Sequence, residues 1–198
     1  MTEGPDGTAA DRATVSLPRG VRLGVDVGTV RVGLAVSDPD GVIATPVETL
    51  ARGNVRGSEE GPPSDLRRIA AEVAERSAGV VYVGLPRHLS GAEGAAAAAV
   101  RAYAGDLAEV VAPVPVRLVD ERMSTVTAHQ ALHASGRAGR RHRSVVDQVA
   151  AVVILQSALE AERARGRRAG ERVAVPGLDP ASGTVVDDVG GHEEGRRE

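Results

Sequence analysis

The chain has 198 residues, 42% hydrophobic, with two Tyr and no Phe, Trp or Cys. That length fits one domain with tails around an aliphatic core, and the missing cysteines exclude a disulfide framework and a thiolate metal site. A net charge of −3 argues against a generic polycationic nucleic-acid binder, and no run of eighteen apolar residues supports a membrane span.

All 24 basic residues are Arg, which fits a GC-rich coding bias better than a functional choice. Residues 20–165 carry seventeen Arg against seventeen Asp plus Glu, so the acidic excess lies in the ends. Residues 1–19 are polar and mixed in charge, with no apolar h-region, and read as a disordered extension without a secretory signal. The expected compartment is the cytoplasm.

Strands are expected at Val21–Val27 and Val30–Ser37, the second with alternating Val30, Val32, Leu34 and Val36. Asp38-Pro39-Asp40-Gly41 is a turn by composition. Val42–Leu50 reads as a third strand, placed at an edge by Pro46. A helix capped by Ser64 or Asp65 is expected to about Ala78, with Leu66, Ile69, Ala70 and Val73 on one face. Val80–Val83 and Val116–Val119 are apolar runs of strand length, separated by an alanine-rich helix over Ala95–Val111. Ser124 or Thr125 is expected to cap a helix to about Ala134. Ser135–Arg143 reads as a Gly/Arg loop, and Val145–Arg165 as a long helix with Val145, Val149, Val152, Val153 and Leu155 or Leu159 inward. Residues 166–198 lose all period and read as a disordered tail, which leaves one domain over 20–165. An antiparallel meander followed by βαβα units makes an α/β fold with a mixed five-stranded sheet flanked by helices.

Three carboxylates stand out. Asp26 lies among valines in the first strand, a poor place for an unpartnered aspartate. Glycines 24, 28 and 33 leave room there for another backbone or a ligand. Glu121 follows the fifth strand, beside Asp120, at the end where α/β sheets tend to bind ligands. Asp147 stands at the expected start of the last helix. Hard cations such as Mg²⁺ take such oxygen ligands, and two of them roughly 4 Å apart assist phosphodiester cleavage. The bland alternatives are turn amides for Asp26, pairing with Arg122 or Arg117 for Glu121, and the helix dipole for Asp147. Spacing alone leaves both sets open. Asp26-Val27-Gly28-Thr29 also suits the phosphate turn of actin-like ATPases, but no second such turn follows. Arg137, Arg140, Arg141, His142 and Arg143 form a basic stretch before Asp147, suited to nucleic-acid phosphate or simply to solvent. His88, His129 and His133 are not spaced as a metal cluster.

Four motifs in order, Gly24-Val25-Asp26-Val27-Gly28-Thr29, Val83-Gly84-Leu85-Pro86, Asp120-Glu121-Arg122-Met123-Ser124-Thr125 and Val146-Asp147-Gln148-Val149-Ala150-Ala151, resemble the YqgF (RuvX) family. Members of that family are described as Holliday junction resolvases or pre-16S rRNA nucleases. The resemblance spans about Val21 to Leu159 and implies an RNase H-like fold. It implies that Asp26, Glu121 and Asp147 form an acidic triad around one or two Mg²⁺ or Mn²⁺ ions, with Asp26 central. It also implies that Arg137, Arg140, Arg141 and Arg143, with Arg87 and His88, flank a substrate groove. His88 replaces an Asn common in relatives, and Ser144 and Val145 replace basic residues. The expected function is a metal-dependent nuclease that matures pre-16S rRNA, on free RNA or on a ribosomal particle, as a monomer or weak homodimer without membrane contact. The rivals are a resolvase acting on structured DNA through a dimer two-fold, and a catalytically silent nucleic-acid or ribosome-assembly module.

Overall fold

A computed structural model describes residues 17–53, 61–88, 90, 92–120 and 140–176, with side chains in the last helix from 147 onward. The strands are β1 (Arg22–Val27), β2 (Arg31–Ser37), β3 (Ala44–Ala51), β4 (Val80–Leu85), β5 (Val116–Asp120) and β6 (Glu171–Arg172). The helices are α1 (Ser64–Glu75), α2 (Ala95–Val110) and α3 (Arg140–Arg165).

The sheet order is β3-β2-β1-β4-β5-β6. β1, β2 and β3 are antiparallel neighbours, and β1, β4 and β5 run parallel. That is the expected RNase H-like mixed arrangement, with one strand more than the five expected. β3 lies at the edge, and its register slips beside Pro46, where a missing N–H costs no ladder bond. Asp38 ties the β2–β3 turn, its Oδ1 accepting from the amides of Val42 (2.8 Å) and Ile43 (2.7 Å).

Strand alternation sorts the side chains onto two faces. Leu23, Val25, Val32, Leu34, Val81, Val83 and Leu118 pack with α1 and α2. Ala35, Tyr82 and Val119 pack with Ala151, Leu155, Ala158 and Leu159 of α3. On β1 the second face carries Arg22, Gly24 and Asp26. Arg22 meets Glu162 of α3 at 3.2 Å, both side chains about 95% buried or more. Glu162 also accepts from Arg168 at 2.8 Å and from the Tyr82 hydroxyl. Burial, then the Glu162 carboxylate, pushes the Tyr82 phenol well above its usual range.

Several expected elements are revised. The chain past Arg165 pairs with β5, Arg172 opposite Arg117 and Glu171 opposite Leu118, so ordered structure outruns the expected boundary at 165. Arg117 fastens this segment by donating to the carbonyls of Ala169 (2.5 Å) and Gly170 (2.6 Å). Neither Ser64 nor Asp65 caps α1; Pro63 holds the N-cap, and Asp65 is buried, accepting from the Tyr103 hydroxyl at 3.0 Å. Arg140 to Arg143, expected in a loop, form the first turn of α3, since Gly139 is the last helix breaker before them. The buried residues of α3 are Ala150, Ala151, Ile154, Leu155, Ala158, Leu159 and Glu162, while Val149, Val152 and Val153 are only half-buried and the Val145 side chain lies outside the described residues. Small residues allow the helix backbone to approach the sheet, so alanine takes the positions that valine was expected to fill. Residues 1–16, 177–198 and the helix expected from Ser124 or Thr125 lie outside the described residues.

Candidate active site

Asp26 is half-buried near the C-terminal end of β1, on the face that α3 covers. Its register partner on β2 is Gly33. The backbone of Asp147 sits directly on that glycine: a Cβ at 33 would lie 2.1 Å from the Asp147 carbonyl oxygen. Gly24, two residues before Asp26, is covered in the same way, its Cβ position 2.6 Å from Cβ of Leu155. The two glycines therefore let α3 rest on the sheet, and the contact at Gly33 brings Asp147 to the neighbourhood of Asp26. These acids come from elements more than a hundred residues apart in the chain.

The Asp147 carboxylate is 29% exposed and faces Arg31, whose Nη1 lies 3.6 Å from Oδ2. Oδ2 is buried and has no hydrogen-bond partner among the described residues. Asp147 lies two turns inside α3, whose first turn holds no acid, so the helix dipole does not account for it. Arg31 escaped notice in the sequence. Its signal was its place two residues before Gly33, which puts both on one face of β2 once the strand is located.

Asp120 alternates with Val119 and so faces the α1/α2 side, where Arg87 approaches it at 3.8 Å. Arg87 also donates to Glu93 at 2.9 Å. Glu93 accepts two further bonds from Arg101, which grips Glu171 of β6 as well. The Arg101 hydrogen bond is the main reason the Glu93 carboxyl falls to about 2. Arg87 is thus tied to carboxylates, whereas His88 is exposed beside a cavity of about 190 Å³ at the start of α2. Glu121 and Arg137 lie outside the described residues, as do the side chains of Arg140, Arg141 and Arg143. Among the described residues no three His, Asp or Glu side chains form a metal-binding group. No described helix is long and apolar enough to cross a membrane.

Behind the site, the β1–β2 turn is clamped. Arg52 donates to the Gly28 carbonyl at 2.8 Å and lies over the Tyr103 ring at 5.4 Å. The Arg31 carbonyl accepts from Gly28 at 2.9 Å and the Val30 carbonyl from Arg52 at 2.9 Å. The turn that follows Asp26 is therefore held from both strands.

Fold and site together define an α/β protein in which a helix carrying Asp147 is seated on the strand pair that carries Asp26. The chain belongs to the RuvX family, whose model, described as Holliday junction resolvase, matches residues 20–161. A Streptomyces coelicolor protein named "Putative pre-16S rRNA nuclease" is 56% identical over 157 residues, 79% of this chain and 90% of that one. A Streptomyces avermitilis protein of the same name is 53% identical over 161 residues, 81% and 99% of the two chains. The Thermus thermophilus RuvC structure in complex with Holliday junction substrate has a TM-score of 0.40 and 18% identity, covering 75% of this chain and 98% of that chain. A likeness that loose says nothing about substrate.

Proposed function

We propose that this chain is a nuclease that hydrolyses phosphodiester bonds, with Asp26, Glu121 and Asp147 as its acidic centre and the 16S ribosomal RNA precursor as its substrate. The observation that carries this reading is the seating of Asp147 on Gly33, the register partner of Asp26. Family membership and the names of relatives that match nearly end to end supply the substrate class. Glu121 is assigned from the chain alone: it directly follows Asp120, the last residue of β5.

The donor set is all oxygen, and Asp147 Oδ2 is buried without a hydrogen-bond partner among the described residues. Both features fit a hard divalent cation such as Mg²⁺ or Mn²⁺. Asp26, Asp147 and Glu121 would hold it, and when bound it supplies Lewis-acid polarisation of the phosphoryl oxygens. The clamped Gly28–Val30 turn limits how the backbone beside Asp26 can give way. Water adds at phosphorus and the leaving oxygen departs with a proton, so the protein forms no covalent intermediate. The basic start of α3 would track the substrate backbone. Action in the cytoplasm, on a ribosomal particle, as a monomer or weak homodimer, completes this reading.

The family description favours one second reading, resolution of four-way DNA junctions, which calls for two sites about a two-fold axis. The test is cleavage of ribosomal precursor RNA and of a synthetic four-way junction by the purified chain in Mg²⁺, Mn²⁺ or EDTA, beside Asp26→Asn. Metal-dependent cutting of RNA alone, lost in the variant, is expected. Cutting of the junction alone selects the second reading, and full activity of the variant refutes the acidic centre.

A further inference from the structure

The described arginines around the site differ in how firmly they are held. Arg52 is fixed to a carbonyl and an aromatic ring, Arg87 to Glu93, and Arg101 to two carboxylates. Arg31 has a looser hold. It reaches Asp147 at 3.6 Å, beyond hydrogen-bond distance, with its side chain 32% exposed. At that distance the pair has no hydrogen bond, so it holds Arg31 by charge alone. Its position does suggest a role. Arg31 opens β2 beside the exposed Thr29 and Val30 of the turn after Asp26, on the face that carries Asp26, Gly33 and Asp147. A planar guanidinium with five N–H donors, one nitrogen against a carboxylate and the side chain 32% exposed, suits a non-bridging phosphate oxygen.

We propose that Arg31 is the phosphate-binding residue of this site, parked on Asp147 until substrate arrives. This rests on the nuclease reading for its choice of ligand, a phosphodiester of single-stranded RNA. Asp147 then acts as a brake on RNA binding as well as a site acid. Substrate replaces a weak ion pair with a charge-assisted hydrogen bond, and the Asp147 carboxylate is released toward the centre.

The test is binding of a fluorescent single-stranded RNA oligonucleotide to the full chain in EDTA at several salt concentrations. R31Q is expected to weaken binding roughly tenfold, the scale of one charge-assisted hydrogen bond. The salt slope should fall by about 0.7, one phosphate contact on a single strand. R31K should restore the slope but only part of the affinity, because a point charge replaces the fork. D147N should tighten binding by releasing Arg31, and the gain should vanish in the R31Q/D147N double variant. Thermal melts of each variant confirm the fold. Equal affinity and slope in R31Q, an equal D147N gain with and without Arg31, or no measurable RNA binding by the unaltered chain would each overturn the proposal. RNA bound through Arg31 yet never cut under the cleavage conditions above would refute the nuclease reading and leave this one standing.

Discussion

Gly33→Ala isolates the contact on which the site depends. The added methyl would lie 2.1 Å from the Asp147 carbonyl oxygen and 2.7 Å from its carbonyl carbon. Both are backbone atoms, so no side-chain rotation relieves the clash, and α3 must lift from β2. Overpacking of this kind costs about 1–3 kcal/mol, and a backbone obstacle places the cost at the upper end. For a chain of this size that lowers the melting temperature by roughly 6–12 °C. The displaced segment is the one that carries Asp147, and a misplacement of about 1 Å at a reacting centre can cost on the order of a hundredfold in rate. Gly24→Ala is the control. It meets Leu155 Cβ at 2.6 Å and the Ala151 carbonyl at 3.0 Å, one to two turns further along the same helix. It should lose comparable stability with a much smaller loss of cleavage rate. Differential scanning fluorimetry and single-turnover cleavage, both well below the melting range, separate the two effects. The reasoning fails if Gly33→Ala melts like the unaltered protein, or if both variants lose rate in proportion to stability.

Three further predictions concern what holds the scaffold. Glu162→Gln leaves Arg22, 4% exposed, without its buried counter-ion, and should cost about 3–5 kcal/mol in urea unfolding; an unchanged midpoint would contradict the network. Tyr103→Phe removes the donor to Asp65 Oδ2, while Oδ1 is already buried without a hydrogen-bond partner among the described residues. It should cost about 1–3 kcal/mol, read in the same assay, with equal stability as the refuting result. Glu93 is held at about 2 against an ordinary 4.5, and Glu171 is also lowered, in both cases chiefly by hydrogen bonds from Arg101. Their contribution is complete above the unfolded value near 4.5 and is lost as pH falls toward the folded one. Arg101→Gln should therefore flatten the fall in stability between those pH values, and an unchanged acid limb would argue against the pair.

Local pattern carried much of the architecture. The alternation of Val32 and Leu34 and the turn at Asp38–Gly41 follow from short-range sterics, so the element order was legible without a fold. Asp26 stood out because a carboxylate in a valine strand demands a reason, and glycines 24 and 33 announced a close approach. What approached was not legible. That α3 lies on those glycines, that Asp147 covers the partner of Asp26, and that Arg31 is the cation beside it depend on β1–β2 register and on the path of a helix over a hundred residues away. The strand after residue 165 was missed for the same reason. Two residues, Glu171 and Arg172, carry no periodicity, and what holds them is the edge of β5 and the Arg117 side chain. Periodicity is a property of neighbours in the chain and can be read there. A site assembled from several elements exists only where packing brings them together, and only the tertiary structure could decide that.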